Sequence, residues 1–240
     1  MSHRCTKILG TLADAGYPVP AGGRVLDFGC GNGDLVHLFR GLGYDAFGCD
    51  MQFKKGPHAA GLTQSEHLRL IREDPYRLPF PHEHFDVVFS TQVLEHVQEY
   101  APTLEEVHRV LRPGGVAFHQ FPSRYRPIET HVFVPFGSCI QSYSWLRLWA
   151  LLGVRKPSQR GMSASEIAHE NHIYLRDRTN YLRRSEINGY VEDLYSSHKY
   201  CETEVLKYTR LSSIHALFRT FPILGWVVGE FHSRALLTVR

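Results

Sequence analysis

The chain is short of several things, and each shortage excludes a class. It has no basic run and no recognisable nucleic-acid-binding module, and its net charge is only +3. A nucleic-acid partner is therefore not expected. No apolar run reaches the roughly 18 residues that a bilayer-spanning helix needs. The N-terminal residues lack the apolar core of a signal peptide. The five cysteines (Cys5, Cys30, Cys49, Cys139 and Cys201) are odd in number, widely spaced and without a CxxC pair. They read as free thiols in a reducing compartment, so a cytoplasmic location is expected. There is no internal repeat, no low-complexity segment and no signal for an oligomeric state. What remains is 240 residues, 43% hydrophobic and 21% charged, enough for one domain with a full core.

The stretch Arg24–Leu35 organises the rest. It reads as a buried strand, a turn with glycine at positions 29, 31 and 33, and a helix whose Leu35, Leu38, Phe39 and Leu42 fall at i, i+3, i+4 and i+7. Alternate glycines let the backbone turn tightly and let a ligand approach bare N–H groups. The helix N-terminus behind them adds partial positive charge. A nucleotide ligand is the natural guest.

Along the chain, residues 3–16 read as a leading helix with Cys5, Ile8, Leu9 and Leu12 on one face. Strands are expected at 24–28, 44–50, 68–71, 85–90 and 116–121, with a poor helix or loop at 54–66. A helix carrying Leu104, Val107 and Leu111 ends at Pro113-Gly114-Gly115. Residues 122–184 are irregular, with one clear helix on which Trp145, Leu148, Trp149 and Leu152 share a face. Further strand material lies at 191–195 and 200–206, and Ala235–Val239 is a plausible last strand. The expected fold is α/β: a doubly wound, Rossmann-like, mostly parallel seven-stranded sheet with helices on both faces and an insertion after strand 5. One domain spans 1–240, with a cofactor-binding half at about 20–122, an acceptor-site cap at about 122–184 and C-terminal strands at about 185–240.

In such a sheet, ligands sit beyond the carboxyl ends of the strands. The glycine turn, Asp50, Asp74 and Ser90-Thr91-Gln92 all fall there. Asp50 follows the glycines by about 20 residues, where a carboxylate can accept both ribose hydroxyls. That also fits an NAD-dependent oxidoreductase. The turn argues otherwise, because its third glycine comes one position early for G-x-G-x-x-G. Asp27, on the strand before it, would repel a pyrophosphate but suits a ligand with an ammonium or cationic centre.

The chain here resembles the class I S-adenosylmethionine-dependent methyltransferases of small-molecule type. The resemblance rests on Val25–Gly33, on Asp50, on Asp74-Pro75 with Leu78-Pro79-Phe80, on Phe85–Ser90 with Val93-Leu94-Glu95-His96-Val97, and on Glu106–Gly115. It covers about residues 20–122. It departs in having Pro75 and Tyr76 after Asp74, which loosens the expected adenine contacts. The resemblance implies S-adenosyl-L-methionine as cofactor. Asp27 with Phe28, Gly29, Cys30, Gly31 and Gly33 would hold its methionine end and Asp50 its ribose. Met51 would pack on the adenine, Asp74 beside Pro75 would accept the adenine amine, and Gln92 would face the cofactor. Two rivals stand beside this reading: a non-catalytic cofactor-binding protein of the same fold, and an NAD-dependent oxidoreductase.

Methyl transfer to a hydroxyl is helped by a general base, and histidine suits neutral pH. His131, in the segment leaving strand 5, is the candidate, with Glu129 orienting its ring or binding substrate. The alternative is that both only pin the loop. That segment resembles one in methyltransferases of glycan and lipid biosynthesis, so the expected acceptor is a small molecule, glycan or lipid-linked intermediate, methylated at oxygen. His96 reads as structural or cofactor-proximal and His119 as packed. His169 and His172, at i and i+3, make a weak metal pair, and no metal is expected. Arg124, Arg126, Arg155, Lys156 and Arg160 form either a solvated face or an anion site. The aromatic stretches at 145–149 and 218–231 read as core, with an apolar acceptor pocket or membrane contact as the alternative; Phe221–Val228 is far too short to span a bilayer and would lie at its interface.

Overall fold

The structure is a computed structural model and describes residues 2–210 and 212–240. Leu211, where the C-terminal apolar stretch begins, lies outside the described residues. The main sheet has seven strands: β1 (Arg24–Phe28), β2 (Asp45–Asp50), β3 (Leu68–Leu70), β4 (Phe85–Thr91), β5 (Leu111–Pro122), β6 (Ser197–Tyr200) and β7 (Ser233–Val239). Their spatial order is β3-β2-β1-β4-β5-β7-β6, with β1 to β5 parallel and β7 antiparallel between β5 and β6. The order reverses between β1 and β4, and a crevice opens at their carboxyl ends.

Helices α1 (His3–Asp14), α2 (Asp34–Gly41), α3 (Ala59–Gln64) and α4 (Tyr100–Val110) accompany the parallel half. The central strands β1, β4 and β5 are buried on both faces, so side chains of alternating parity feed two cores. Val25, Val87, Phe89 and Phe118 pack with Leu12 of α1 and Leu35 and Phe39 of α2. Leu26, Phe28, Val88 and Ala117 pack on the other face with Leu104 and Val107 of α4. The Leu78–Phe80 loop is clamped to α4. Arg109 donates to the carbonyls of Leu78 and Phe80, and Glu106 accepts from the Leu78 N–H at 2.7 Å.

After β5 the chain leaves the sheet. Helices α5 (Tyr143–Leu151) and α6 (Ala164–Arg178) pack together, with Val132, Val134, Leu146, Ala168 and Leu175 fully buried between them and the loop before α5. The inward side of α5 is Leu146 and Ala150, flanked by Trp145 and Trp149, while Leu148 and Leu152 are exposed. The expected Trp145/Leu148/Trp149/Leu152 face is therefore rotated, because the cap presents a narrow seam and not a broad sheet. Helix α6 was not expected. Its signal was the Ser163–Glu166 capping box, where each side chain bonds the other's backbone N–H.

Two expected strands are not strands. Residues 191–195 are the end of α7 (Arg184–Val191) and the turn after it. Residues 200–206 give only the last residue of β6 before α8 (Glu202–Leu206). In both, the apolar residues serve a helix face: Ile187 and Val191 join the core against α4, and Val205 joins the opposite one. Helices α9 (His215–Thr220) and α10 (Pro222–Phe231) follow. The core reading of 218–231 holds for Phe218 but fails for Phe221, Ile223, Trp226 and Phe231, which are exposed. The inward residues of α10 are Gly225, Gly229 and Glu230. A Cβ on Gly229 would meet Arg184 Nη2 at 2.5 Å. Small residues face in because a buried ion network lies there. Glu230 binds Arg184 Nε at 2.6 Å and fully buried Arg234 at 3.1 Å, and Arg184 also binds Glu202 at 3.0 Å.

Candidate active site

The glycine turn is built by backbone conformation. Gly29, Gly31 and Gly33 have φ of 80°, 57° and 76°, in the left-handed region that L side chains avoid. A Cβ on Gly29 would meet Val93 Cγ2 at 2.3 Å, and one on Gly33 would meet Leu68 Cδ1 at 2.8 Å. At Gly31 only Lys54 Cδ, at 3.6 Å, stands within contact. The first and third glycines thus close the turn onto its neighbours, and the second faces open space.

The expected bare N–H groups are not bare. Gly29 and Cys30 both donate to the Cys49 carbonyl, at 2.8 and 3.1 Å, and Gly33 donates to the Cys30 carbonyl at 2.9 Å. Gly31 donates to Asp50 Oδ2 at 2.8 Å. The turn has to satisfy its own donors where it meets β2. Phe28 and Cys30 turn their side chains into the two cores, so only their backbone can meet a ligand.

Asp27 is 4% exposed and accepts no hydrogen bond from any described residue. Burial pushes its carboxyl up to about 7; Arg4 pulls it down and Asp50 adds to the rise. A buried acid without a donor is costly, and a cationic ligand group would relieve it. Asp50 ends β2 with its carboxylate on the Gly31 N–H, and Met51 beside it is exposed and not core. Gln92, just past β4, has φ of 58° and donates its N–H to the Gln120 carbonyl. A non-glycine residue in that region marks strain at the crevice. Asp74 and Pro75 form the exposed tip of a short hairpin, Arg72–Glu73 paired with Tyr76–Arg77.

A second constellation lies on the loop after β5. Glu129 is completely buried and accepts four hydrogen bonds: His131 Nδ1 at 2.7 Å, Tyr181 Oη at 2.6 Å, and the N–H groups of His131 and Val132 at 2.7 and 2.6 Å. Burial alone would raise its pKa, but these bonds from His131, Tyr181 and Val132 outweigh it and hold the carboxyl below its ordinary value. Glu129 has no room for substrate. It fixes the His131 ring with Nδ1 as donor, leaving Nε2 as the free lone pair. The cap's small core, through Val132 and Val134, anchors the loop.

His96 stands edge-on to His131, with ring centroids 4.8 Å apart, and its Nδ1 bonds the Arg178 carbonyl at 2.7 Å. Beside them is Glu95, 1% exposed, whose two carboxylate oxygens have no hydrogen-bond partner among the described residues and whose pKa burial raises to about 7. Glu95 stands in the Val93–Val97 segment that carries the family resemblance, but nothing in the sequence singled it out as a site residue. His119 is packed as expected: it is fully buried, with Nδ1 2.7 Å from Ser90 Oγ, and burial lowers its pKa to about 4. The expected anion site is largely spent on the cap itself. Arg124 donates to the Tyr181 carbonyl, Arg155 to the Met162 and Ala150 carbonyls, and Lys156 pairs with Glu170. A polar cavity of about 200 Å³ opens between Arg124, Gln141, Asn180, Tyr181 and Glu186.

Comparison with known proteins supplies the context. Residues 26–119 match the family model described as "Methyltransferase domain". A ubiquinone biosynthesis O-methyltransferase of Thiobacillus denitrificans is 34% identical over 122 residues, covering 49% of this chain and 51% of that protein. A demethylmenaquinone methyltransferase of Staphylococcus epidermidis is 28% identical over 146 residues, covering 54% of this chain and 61% of its own. The chain thus spans between half and two thirds of these relatives. Among solved structures, an S-adenosylmethionine-dependent methyltransferase of Mesorhizobium loti superposes over 95% of both chains with a TM-score of 0.55 at 16% identity, a likeness of fold.

Proposed function

We propose that this chain, which carries a class I S-adenosylmethionine-dependent methyltransferase domain, methylates a small-molecule acceptor at oxygen. The family match over residues 26–119 carries the reading, since that span holds the glycine turn, Asp27, Asp50 and Gln92. It also favours a methyl donor over NAD.

The residues present fit the cofactor. The donorless carboxylate of Asp27 matches an ammonium group, and the open space before Gly31 admits a ligand against the backbone. Asp50 would hold the ribose, with Oδ1 receiving only a long 3.4 Å contact from the Gln52 N–H. Exposed Met51 would cover the adenine, and Asp74 with Pro75 would reach its amine. When bound, S-adenosyl-L-methionine supplies a methyl group already activated on sulfur, so the protein mainly aligns the acceptor and excludes water. Glu129 holds His131, whose Nε2 takes the proton of the acceptor hydroxyl. The cavity at Arg124 and Tyr181 lies next to this pair through Tyr181 and would receive the acceptor.

The relatives named for ubiquinone biosynthesis and for demethylmenaquinone support a small, ring-bearing acceptor. A glycan or lipid-linked intermediate is the wider class. The exposed Phe221, Ile223 and Trp226 of α10 support peripheral contact with a membrane. No described helix is long and apolar enough to cross one. We place the protein in the cytoplasm, as a single unit with cap and sheet acting together.

A thermal-shift series tests the donor: S-adenosylhomocysteine should raise the melting temperature and NAD should not. The reverse result sinks the reading. Release of S-adenosylhomocysteine on incubation with quinol and phenol acceptors tests catalysis. Binding without release over a metabolite extract would favour the non-catalytic rival.

A further inference from the structure

We propose that Glu95, His96 and His131 form a binding site for one divalent transition-metal ion, with zinc as the reference ion. One ligand atom from each lies within 4.8 Å of the other two, and no other such group of three occurs among the described residues. The arrangement has the outer partners that metal sites use. Each histidine commits Nδ1 elsewhere, His131 to the Glu129 carboxylate and His96 to the Arg178 carbonyl, both at 2.7 Å. Such bonds fix the tautomer and leave Nε2 as the donor to an ion, as in carboxylate–histidine–metal arrangements.

Glu95 is the independent observation. It is 99% buried and neither oxygen has a partner among the described residues, an unfavourable state for a carboxylate in ionised form. Native structures rarely leave both oxygens of a buried acid unsatisfied unless something else binds there. A cation between Glu95 and the two rings answers that deficit.

Two imidazoles and one carboxylate are a borderline donor set that suits zinc and its first-row neighbours, and three protein ligands leave a fourth position open. Metal–ligand bonds of about 2.0–2.2 Å hold tetrahedral donors roughly 3.4 Å apart, so donors up to 4.8 Å apart must draw in on binding. Exposed His96 can move, since only its ring nitrogen is tied. The ion would take the same lone pair of His131 that would accept the acceptor's proton, so metal binding and base catalysis exclude each other at that atom. The metal proposal rests on these contacts and not on the methyl-transfer reading; its failure leaves that reading untouched.

The test is calorimetric titration of chelator-treated full-length protein with zinc chloride, with the visible spectrum of added cobalt(II) reporting its ligands. One equivalent should bind. Glu95→Gln should weaken binding at least tenfold while keeping the wild-type melting temperature. Should Glu95→Gln fail to fold, His96→Ala decides, because that side chain is exposed. The paired variant His169→Ala with His172→Ala should bind as wild type. Absence of a one-equivalent site, unchanged affinity in Glu95→Gln or His96→Ala, or loss in the paired variant instead would each overturn the proposal.

Discussion

The sheet half and the cap build polar sites by opposite means. Between residues 20 and 122, carboxylates and glycines sit where parallel strands end, and the sheet's register brings them together. Asp27 and Asp50 lie one strand apart at the same edge because β1 pairs with β2 from Arg24↔Asp45 to Phe28↔Cys49. In the cap no ladder does this. Glu129 and Tyr181 are 52 residues apart and meet only because α5 and α6 fold back on the loop. The sheet leaves an acid with no donor, Asp27; the cap surrounds an acid with four, Glu129. An acid without donors waits for a cation. An acid with its valence filled is a fixed support.

The largest expected effect breaks the cap alone. His131→Ala should lower turnover by about 10²–10⁴-fold while leaving S-adenosylhomocysteine affinity unchanged; equal turnover removes His131 as the base. The converse variant, Asp50→Ala, should weaken S-adenosylhomocysteine binding about 100-fold or more, since two hydrogen bonds to a charged group vanish at about 1.5–3 kcal/mol each. Undiminished affinity by calorimetry would mean that the ribose lies elsewhere.

Within the turn, Gly29→Ala should cost about 2–4 kcal/mol, because overpacking against Val93 adds to a left-handed backbone. Gly31→Ala, with open space ahead, should cost only about 1 kcal/mol of conformational strain. Equal losses in urea denaturation would show that conformation alone matters. The smallest effect is in pH. Asp27 is raised from 3.8 to about 7 in the fold, so its contribution to stability is full below pH 3.8 and is lost as pH rises to about 7. The ligand-free melting temperature should therefore carry a downward component over that window. S-adenosylhomocysteine should flatten it and Asp27→Asn should remove it; a profile unchanged by both would place the ammonium away from Asp27.

The sequence made the parallel half legible because each element carries its own period there. Leu35 and Phe39 lie inside and Leu38 packs against the same core, as the helical spacing requires, although Leu42, just past the helix end, is exposed and Val36 is inside instead. Phe85–Thr91 is buried almost throughout, as a central strand is. The signature residues at 78–80 and 106–109 turned out to be a single clamp. Past residue 122 the signals were weaker for physical reasons. α6 carries charges around most of its surface and buries a narrow seam, so it has no strong apolar face. In α10 the pattern misleads outright, since its glycines face inward and its aromatics outward. The Tyr200–Leu206 run has strand-like residues, yet it caps the sheet as a helix.

By itself, then, the sequence determined the strand–turn–helix frame and the chemistry at its edge: local periodicity places Asp27, Gly29–Gly33 and Asp50, and the ligand follows from their types. The tertiary structure alone decided which donors of the turn are spent, that Glu129 serves His131 through a bond shared with Tyr181, and that Glu95 stands buried beside two histidines with no partner among the described residues. Those facts depend on contacts between residues far apart in the chain, which no local period encodes.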